Sequence, residues 1–302
     1  MREFELPSTG GQVLHCGLWA PKTLQPSAIV QLVHGIAEHI GRYDEFGCFL
    51  SEHGFLMVAD DHMGHGKSMG EVPGFFPCGW NGAVDDEKTL MDRVREEYPK
   101  TPYFFLGHSM GSFLTRTFLY RHAKAGLQGA ILSGTGWQNP VALRMGLCLC
   151  AKEEKKYGEK EISAALNKMV FGSYNRHFRP NRTENDWICT DPAVVDAYNA
   201  DPLCGFPATI GLARDMLQGI AMNQSKENLS KMPKELPILF FAGKSDPVGR
   251  MGKGVERSAL AFQQAGMREV QCKLYSGRHE MLNEPNRQEV YDDVVHWLLA
   301  HL

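Results

Sequence analysis

The pentapeptide Gly107-His108-Ser109-Met110-Gly111 constrains this chain more than any other segment, because of what flanks it. Before it runs an apolar stretch, Tyr103-Phe104-Phe105-Leu106. After it, Ser112 to His122 carries Phe113, Leu114, Phe118 and Leu119 at helical spacing. A Gly-x-Ser-x-Gly between a strand and a helix is a sharp turn that lifts a serine hydroxyl above the carboxyl end of a sheet. The glycines answer a steric demand: with only a hydrogen two residues before and two after the serine, strand and helix can approach closely. The pattern by itself is common, so its meaning rests on partners elsewhere in the chain.

Two partners follow in order. Pro237-Ile238-Leu239-Phe240-Phe241-Ala242-Gly243 reads as a buried strand ended by glycine, and Lys244-Ser245-Asp246-Pro247 places Asp246 just past its end. A helical segment, Val255 to Ala265, leads to a second strand, Val270 to Tyr275. The loop beyond it, Ser276-Gly277-Arg278-His279, carries His279. Reactive groups in open α/β sheets gather outside the carboxyl ends of the strands, where all three residues are expected. An imidazole titrating near neutrality suits the removal of a serine proton. His279 is the expected base, and Asp246 the group that fixes its tautomer and stabilises the imidazolium. Singly, Asp246 reads as an Asx turn before proline and His279 as one of twelve histidines; as an ordered set at strand ends they read as a triad with Ser109. His108 is assigned to packing.

An acyl-transfer intermediate carries an oxyanion that needs at least two fixed donors. The backbone N–H of Met110 is one candidate. Ala28 to Val33 reads as a strand, and His34-Gly35-Ile36-Ala37 follows it, so the second donor is expected at Ile36, with Ala37 as its neighbour.

The segment His34-Gly35-Ile36-Ala37-Glu38-His39-Ile40-Gly41-Arg42-Tyr43 resembles the corresponding loop of monoacylglycerol lipases and bacterial lysophospholipases. Asp61-His62-Met63-Gly64-His65-Gly66-Lys67-Ser68, Gly107 to Gly111, and Gly277-Arg278-His279-Glu280 match the same group. Its wider clan includes serine aminopeptidases of the proline-iminopeptidase type. The resemblance covers roughly residues 1–135 and 235–302 and implies an α/β-hydrolase fold with an inserted cap and serine-dependent ester hydrolysis. It puts Ser109, Asp246 and His279 on the triad and Ile36 and Met110 on the oxyanion positions. Ile36 departs from the group, which has a smaller residue there; Ser112 stands where a further glycine is common.

Composition agrees. A chain of 302 residues with 43% hydrophobic content buries a large core, and no charged or Gly/Ser linker divides it. A net charge of -3 gives no electrostatic case for nucleic acid. Met1 to Pro7 lacks the apolar stretch of a signal peptide, and no run approaches the roughly 18 apolar residues of a membrane span. Eight scattered cysteines without a C-x-x-C pair read as free thiols in a reducing cytoplasm.

Strands are expected at Val13 to Trp19, Phe55 to Asp60 and Gly129 to Ser133, and helices at Val84 to Tyr98 and Arg287 to Leu302. The alternation predicts a mostly parallel sheet with helices on both faces, formed by residues 1–136 and 232–302. Residues 137–231 break the rhythm and are expected to form a mainly helical cap. Its apolar segment, Val141 to Cys150, reads equally as an acyl-tunnel or membrane-surface lining and as a buried helix. The run Lys152-Glu153-Glu154-Lys155-Lys156 reads as a solvated face.

Asp60, Asp61, His62 and His65 form a tempting cluster, but their spacing matches no zinc signature, so neither metal nor cofactor is expected. The expected activity is hydrolysis of a small-molecule acyl ester, of monoacylglycerol or lysophospholipid type. A serine aminopeptidase would need cap carboxylates for the substrate ammonium; Glu153, Glu154, Glu159, Glu161 and Asp215 are present but read as surface charge. A thioesterase is a further alternative, and a non-catalytic binding protein of the same fold a remote one.

Overall fold

Five short runs with an apolar residue at nearly every position become the interior of one sheet. The computed structural model describes residues 1–22 and 25–302. In chain order it forms β1 (Arg2–Pro7), β2 (Val13–Trp19), β3 (Ile29–Val33), α1 (Asp44–Glu52), β4 (Leu56–Asp60), α2 (Gly79–Glu97), β5 (Tyr103–His108), α3 (Met110–Arg121) and β6 (Gly129–Ser133). Five helices follow: α4 (Pro140–Tyr157), α5 (Ala164–Val170), α6 (Pro192–Ala200), α7 (Ile210–Asn223) and α8 (Lys226–Lys231). The chain then closes with β7 (Ile238–Gly243), α9 (Lys253–Gln264), β8 (Val270–Tyr275) and α10 (Arg287–Ala300).

The eight strands make a single sheet in the order β1-β2-β4-β3-β5-β6-β7-β8. The β1–β2 and β2–β4 pairs are antiparallel and the other five parallel. Every residue of β3 to β7 is buried, which is why these strands read as unbroken apolar runs rather than alternating ones. Alternation is still present, but it sorts residues between two cores. Tyr103, Phe105, Leu132 and Phe240 face the core packed by α2, α3 and α9. Phe104, Leu106, Ile131 and Phe241 face the one packed by α1 and α10. This is the expected α/β-hydrolase architecture.

One strand escaped the sequence reading. β1 is an edge strand with only Leu6 buried, and its alternation, Phe4 and Leu6 against Glu3 and Glu5, is too short to announce it; its register against β2 supplies its order. The expected helix from Val84 begins earlier, at Gly79, since Trp80 buries its ring and donates Nε1–H to Thr117 Oγ1 at 2.9 Å.

Residues 134–237 join β6 to β7 and carry α4 to α8. α7 belongs as much to the core as to the insertion, packing on α3 and α2. Asn223 at its end bonds Phe113 O (2.8 Å) and Thr117 Oγ1 (2.9 Å) on α3. α4 divides its apolar run between two environments. Leu143, Gly146 and Cys150 are buried, whereas Val141 and Met145 are each 66% exposed. Lys152, Lys155 and Lys156 are exposed, as expected of a solvated face.

Candidate active site

Ser109 occupies the turn between β5 and α3 with φ 50°, a left-handed conformation forced on a residue with a side chain. The glycines around it are sterically required. A Cβ on Gly107 would sit 2.4 Å from Thr115 Oγ1 and 2.5 Å from Gly111 O; one on Gly111 would sit 1.9 Å from Val33 O. The turn is tied to the sheet by Ser109 N–H donating to Ser133 O at 3.0 Å.

The structure brings the three separated residues together. His279 Nε2 lies 2.9 Å from Ser109 Oγ, and His279 Nδ1 lies 3.0 Å from Asp246 Oδ1. Both groups are buried, so the second contact acts with little screening by solvent. Asp246 Oδ1 also accepts the Val248 N–H at 2.9 Å, which fixes the carboxylate. Burial disfavours the His279 imidazolium, but the Asp246 charge outweighs it and holds the pKa above the usual 6.5. His108 packs as expected. Its ring lies 4.7 Å from that of His279, and burial, with His279 adding, pushes it down to about 4, so it stays neutral beside the base.

The loop after β3 runs against the serine: a Cβ on Gly35 would lie 3.1 Å from Ser109 Cβ. Among the described residues the Ile36 N–H finds no intramolecular acceptor, and Met110 N–H is the first of α3, where helices leave donors free. The loop is held from several sides. The Glu38 carboxylate accepts Gly35 N–H, Tyr43 O–H (2.8 Å) and Arg42 (2.9 Å). Arg42 also binds Glu280, the residue after His279, through two contacts of 2.6 and 2.7 Å. Ala37, itself at φ 54°, gives its carbonyl to Tyr198 O–H and Gly205 N–H of the insertion, both at 3.0 Å. Glu38, Arg42 and Glu280 lay inside the motifs read from sequence, but no role was assigned them. The only available signal was a glutamate and an arginine four residues apart with no helix to explain the spacing.

Two cavities meet at Ser109. One, of ≈ 140 Å³, is apolar: Phe113, Ala142, Leu143, Met169, Val170, Met216 and Ile220 line it, with Ile36 and Met110. The other, of ≈ 700 Å³, is mixed: Asn167, Asn175, Asn181, Thr183 and Asn185, together with His279, stand among Ile188, Tyr198, Phe206 and Pro207. Trp187 and Phe171 stand between the two, and the Trp187 ring lies 5.0 Å from the His279 ring. A separate groove of ≈ 390 Å³ at the far end of α3, near His122 and His301, carries none of these groups.

None of the carboxylates considered for an ammonium site lines either cavity. Arg214 holds Glu154 (2.6 Å), Glu159 (3.3 Å) and Asp215 (2.9 Å), and Glu153 accepts Ser163 O–H. Asp215 is not the surface charge it was expected to be: it is 4% exposed, buried beneath Arg214. Glu184 is the insertion carboxylate that reaches the larger cavity.

Residues 24–286 match the family model described as serine aminopeptidase, S33. The chain belongs to this family of hydrolases. A monoacylglycerol lipase of Mycolicibacterium smegmatis is 30% identical over 99% of this chain and 98% of its own length. A monoglyceride lipase homologue of monkeypox virus is 39% identical over 94% of each. Among solved structures, a thermostable carboxyl esterase from Bacillus coagulans superposes with TM-score 0.90 at 32% identity, covering 99% of this chain and 98% of the esterase. The chain is accordingly a serine-type hydrolase of the α/β-hydrolase class. No helix among the described residues is long and apolar enough to cross a membrane.

Proposed function

We propose that the protein hydrolyses carboxylic esters of monoacylglycerol or lysophospholipid type, with Ser109, Asp246 and His279 as its triad and the Ile36 and Met110 N–H groups as its oxyanion hole. The observation that carries this reading is the pair of cavities meeting at Ser109: one lined almost wholly by apolar side chains suits an acyl chain, and a mixed one carrying several amide and hydroxyl groups suits the alcohol portion. Ser109 Oγ attacks the acyl carbonyl while His279 Nε2 takes its proton. The proton passes to the departing alcohol, and water then attacks the acyl-enzyme with His279 again as base. Asp246 steadies the imidazolium in both steps.

Residues 137–231 act as the cap that walls both chambers. Val141 and Met145, exposed beside Ala142 and Leu143 of the apolar lining, support transient contact of this face with a lipid surface. All eight cysteines are free, which supports a reducing, cytoplasmic setting.

The test is a paired panel: p-nitrophenyl esters and monoacylglycerols of increasing chain length beside aminoacyl-p-nitroanilides. Turnover of esters, absent on anilides, supports the proposal. Turnover of anilides that Glu184→Gln abolishes would transfer the protein to the aminopeptidases, with Glu184 as the ammonium anchor.

A further inference from the structure

Behind the oxyanion loop, β3, β4 and α2 enclose a second polar group that the chemistry above does not use. Asp60 ends β4, His62 follows two residues later, and Glu87 projects from the middle of α2; their exposures are 1%, 2% and 1%. One candidate ligand atom from each lies within 4.8 Å of the others. His62 Nδ1 is 3.3 Å from Asp60 Oδ2 and 3.3 Å from Glu87 Oε1.

Those spacings are long for charge-assisted hydrogen bonds, which contract to about 2.7–2.9 Å. They match the edge of a tetrahedron around zinc, about 3.4 Å when each ligand stands about 2.1 Å from the metal. One hydrogen on Nδ1 cannot serve two carboxylates, and Glu87 Oε1 and Asp60 Oδ1 accept no hydrogen bond although fully buried. The opposite ring nitrogen, Nε2, is 3.1 Å from His34 O, a pure acceptor. That contact places a hydrogen on Nε2, so that in the neutral ring the Nδ1 lone pair faces the two acids, the arrangement that orients metal-bound imidazoles. The remaining Glu87 oxygen accepts Gln31 Nε2–H at 2.6 Å, and Gln31 in turn accepts Tyr103 O–H, so an outer layer is present as well.

We propose that Asp60, His62 and Glu87 form a structural zinc site beneath the oxyanion loop. Two carboxylates and a neutral imidazole sum to a charge that one divalent cation cancels. Without a metal, two protons must do the same work, one on His62 and one on Glu87. Zinc therefore displaces two protons at constant cluster charge. The imidazole ligand favours zinc over magnesium or calcium. The His62 ring stacks on His34 at 3.9 Å, and the His62 N–H donates to His34 Nε2. The metal would thereby brace the residue from which Gly35 and Ile36 depart.

Sequence spacing argued against a metal here because Glu87 lies 25 residues beyond His62, while two of the nearby candidates turn elsewhere. Asp61 accepts the Ile40 and Lys67 N–H groups, and His65 faces Met63 O. A similar trio, His39, Asp201 and Cys204, lacks the free lone pair. His39 Nδ1 accepts the Gly41 N–H, which leaves its Nε2 protonated toward Asp201.

The experiment refolds the full chain from denaturant with zinc chloride or with EDTA, removes unbound metal, and measures zinc by mass spectrometry alongside the thermal midpoint. The proposal expects about one zinc per chain and a higher midpoint in the zinc-refolded protein. Glu87→Gln, which keeps the shape, is expected to hold no zinc and to melt at the same temperature under both treatments. Equal midpoints with no zinc retained would overturn the proposal and leave protons in the cluster. Zinc retained equally by Glu87→Gln would overturn it too, by moving the metal elsewhere.

Discussion

The strand-end loops and the insertion between β6 and β7 solve opposite problems within one active site. Around Ser109 the chain is fixed from every side: a strained turn, glycines that admit no Cβ, and a carboxylate–arginine–carboxylate chain from Glu38 through Arg42 to Glu280. Ser109, Glu38 and Glu280 are all buried. The insertion instead leaves Val141, Met145, Tyr157, Ile162 and Met169 at least 40% exposed, and some of its ion pairs, such as Arg182 with Asp196, lie in water. The loops hold donors and acceptors for a transition state, which tolerates little displacement. The insertion only has to wall two chambers, which tolerates much. Fixity is concentrated where charge develops.

That contrast breaks most visibly at Asp246. Asp246→Asn is expected to lower kcat on a p-nitrophenyl ester about 10⁴-fold, because the imidazole loses its tautomer and its counter-charge while the fold persists. Stopped-flow or steady-state kinetics beside a thermal melt checks both halves. The next largest effect falls on stability. Arg42→Ala strands Glu38 and Glu280 in the interior and should cost about 3–5 kcal/mol by denaturant titration. Arg182→Ala in the insertion, whose partner Asp196 is exposed, should cost at most about 1 kcal/mol. Similar costs would erase the distinction between the two regions.

The pH dependence sharpens it further. His279 acts only when neutral, and its pKa is held above 6.5, so kcat/KM should rise with pH along a limb displaced above that value. Replacing Asp246 by Asn should move the limb to lower pH. Because the folded pKa is raised, the pair's contribution to stability is complete below the unfolded value near 6.5 and disappears as pH climbs through the folded one. Melts across that window test the sign. The smallest effect belongs to the apolar chamber: Met169→Ala opens its rim and should shift kcat/KM toward longer acyl esters by a few-fold, with the short-ester rate unchanged.

What the sequence revealed follows the same division. Ser109 and Asp246 were readable because each follows an unbroken apolar strand, and burial on both faces writes that signal strongly; His279 follows the largely exposed edge strand β8 and was readable from its place in the chain order and from the Gly277-Arg278-His279 motif. The oxyanion loop was readable from its position after β3. Edge strand β1 was not, since two alternating apolar residues, Phe4 and Leu6, are too few to establish a period. Nor were the bonds of Arg42: its second carboxylate partner is 238 residues away, and no local pattern encodes such a meeting. Asp215 was read as surface charge because its own stretch does not show that α7 packs this position against the start of α2. The division of α4 between chamber and solvent was ambiguous for a similar reason: periodicity marks a face but not what covers it.

Covalent trapping tests the central claim most directly. The protein, treated with a fluorophosphonate that reacts only with activated serines, is analysed by intact mass and then by peptide mapping. The account predicts a single adduct on Ser109 and none when His279 is replaced by alanine. An adduct on any other residue, or labelling of Ser109 that survives the loss of His279, would contradict it.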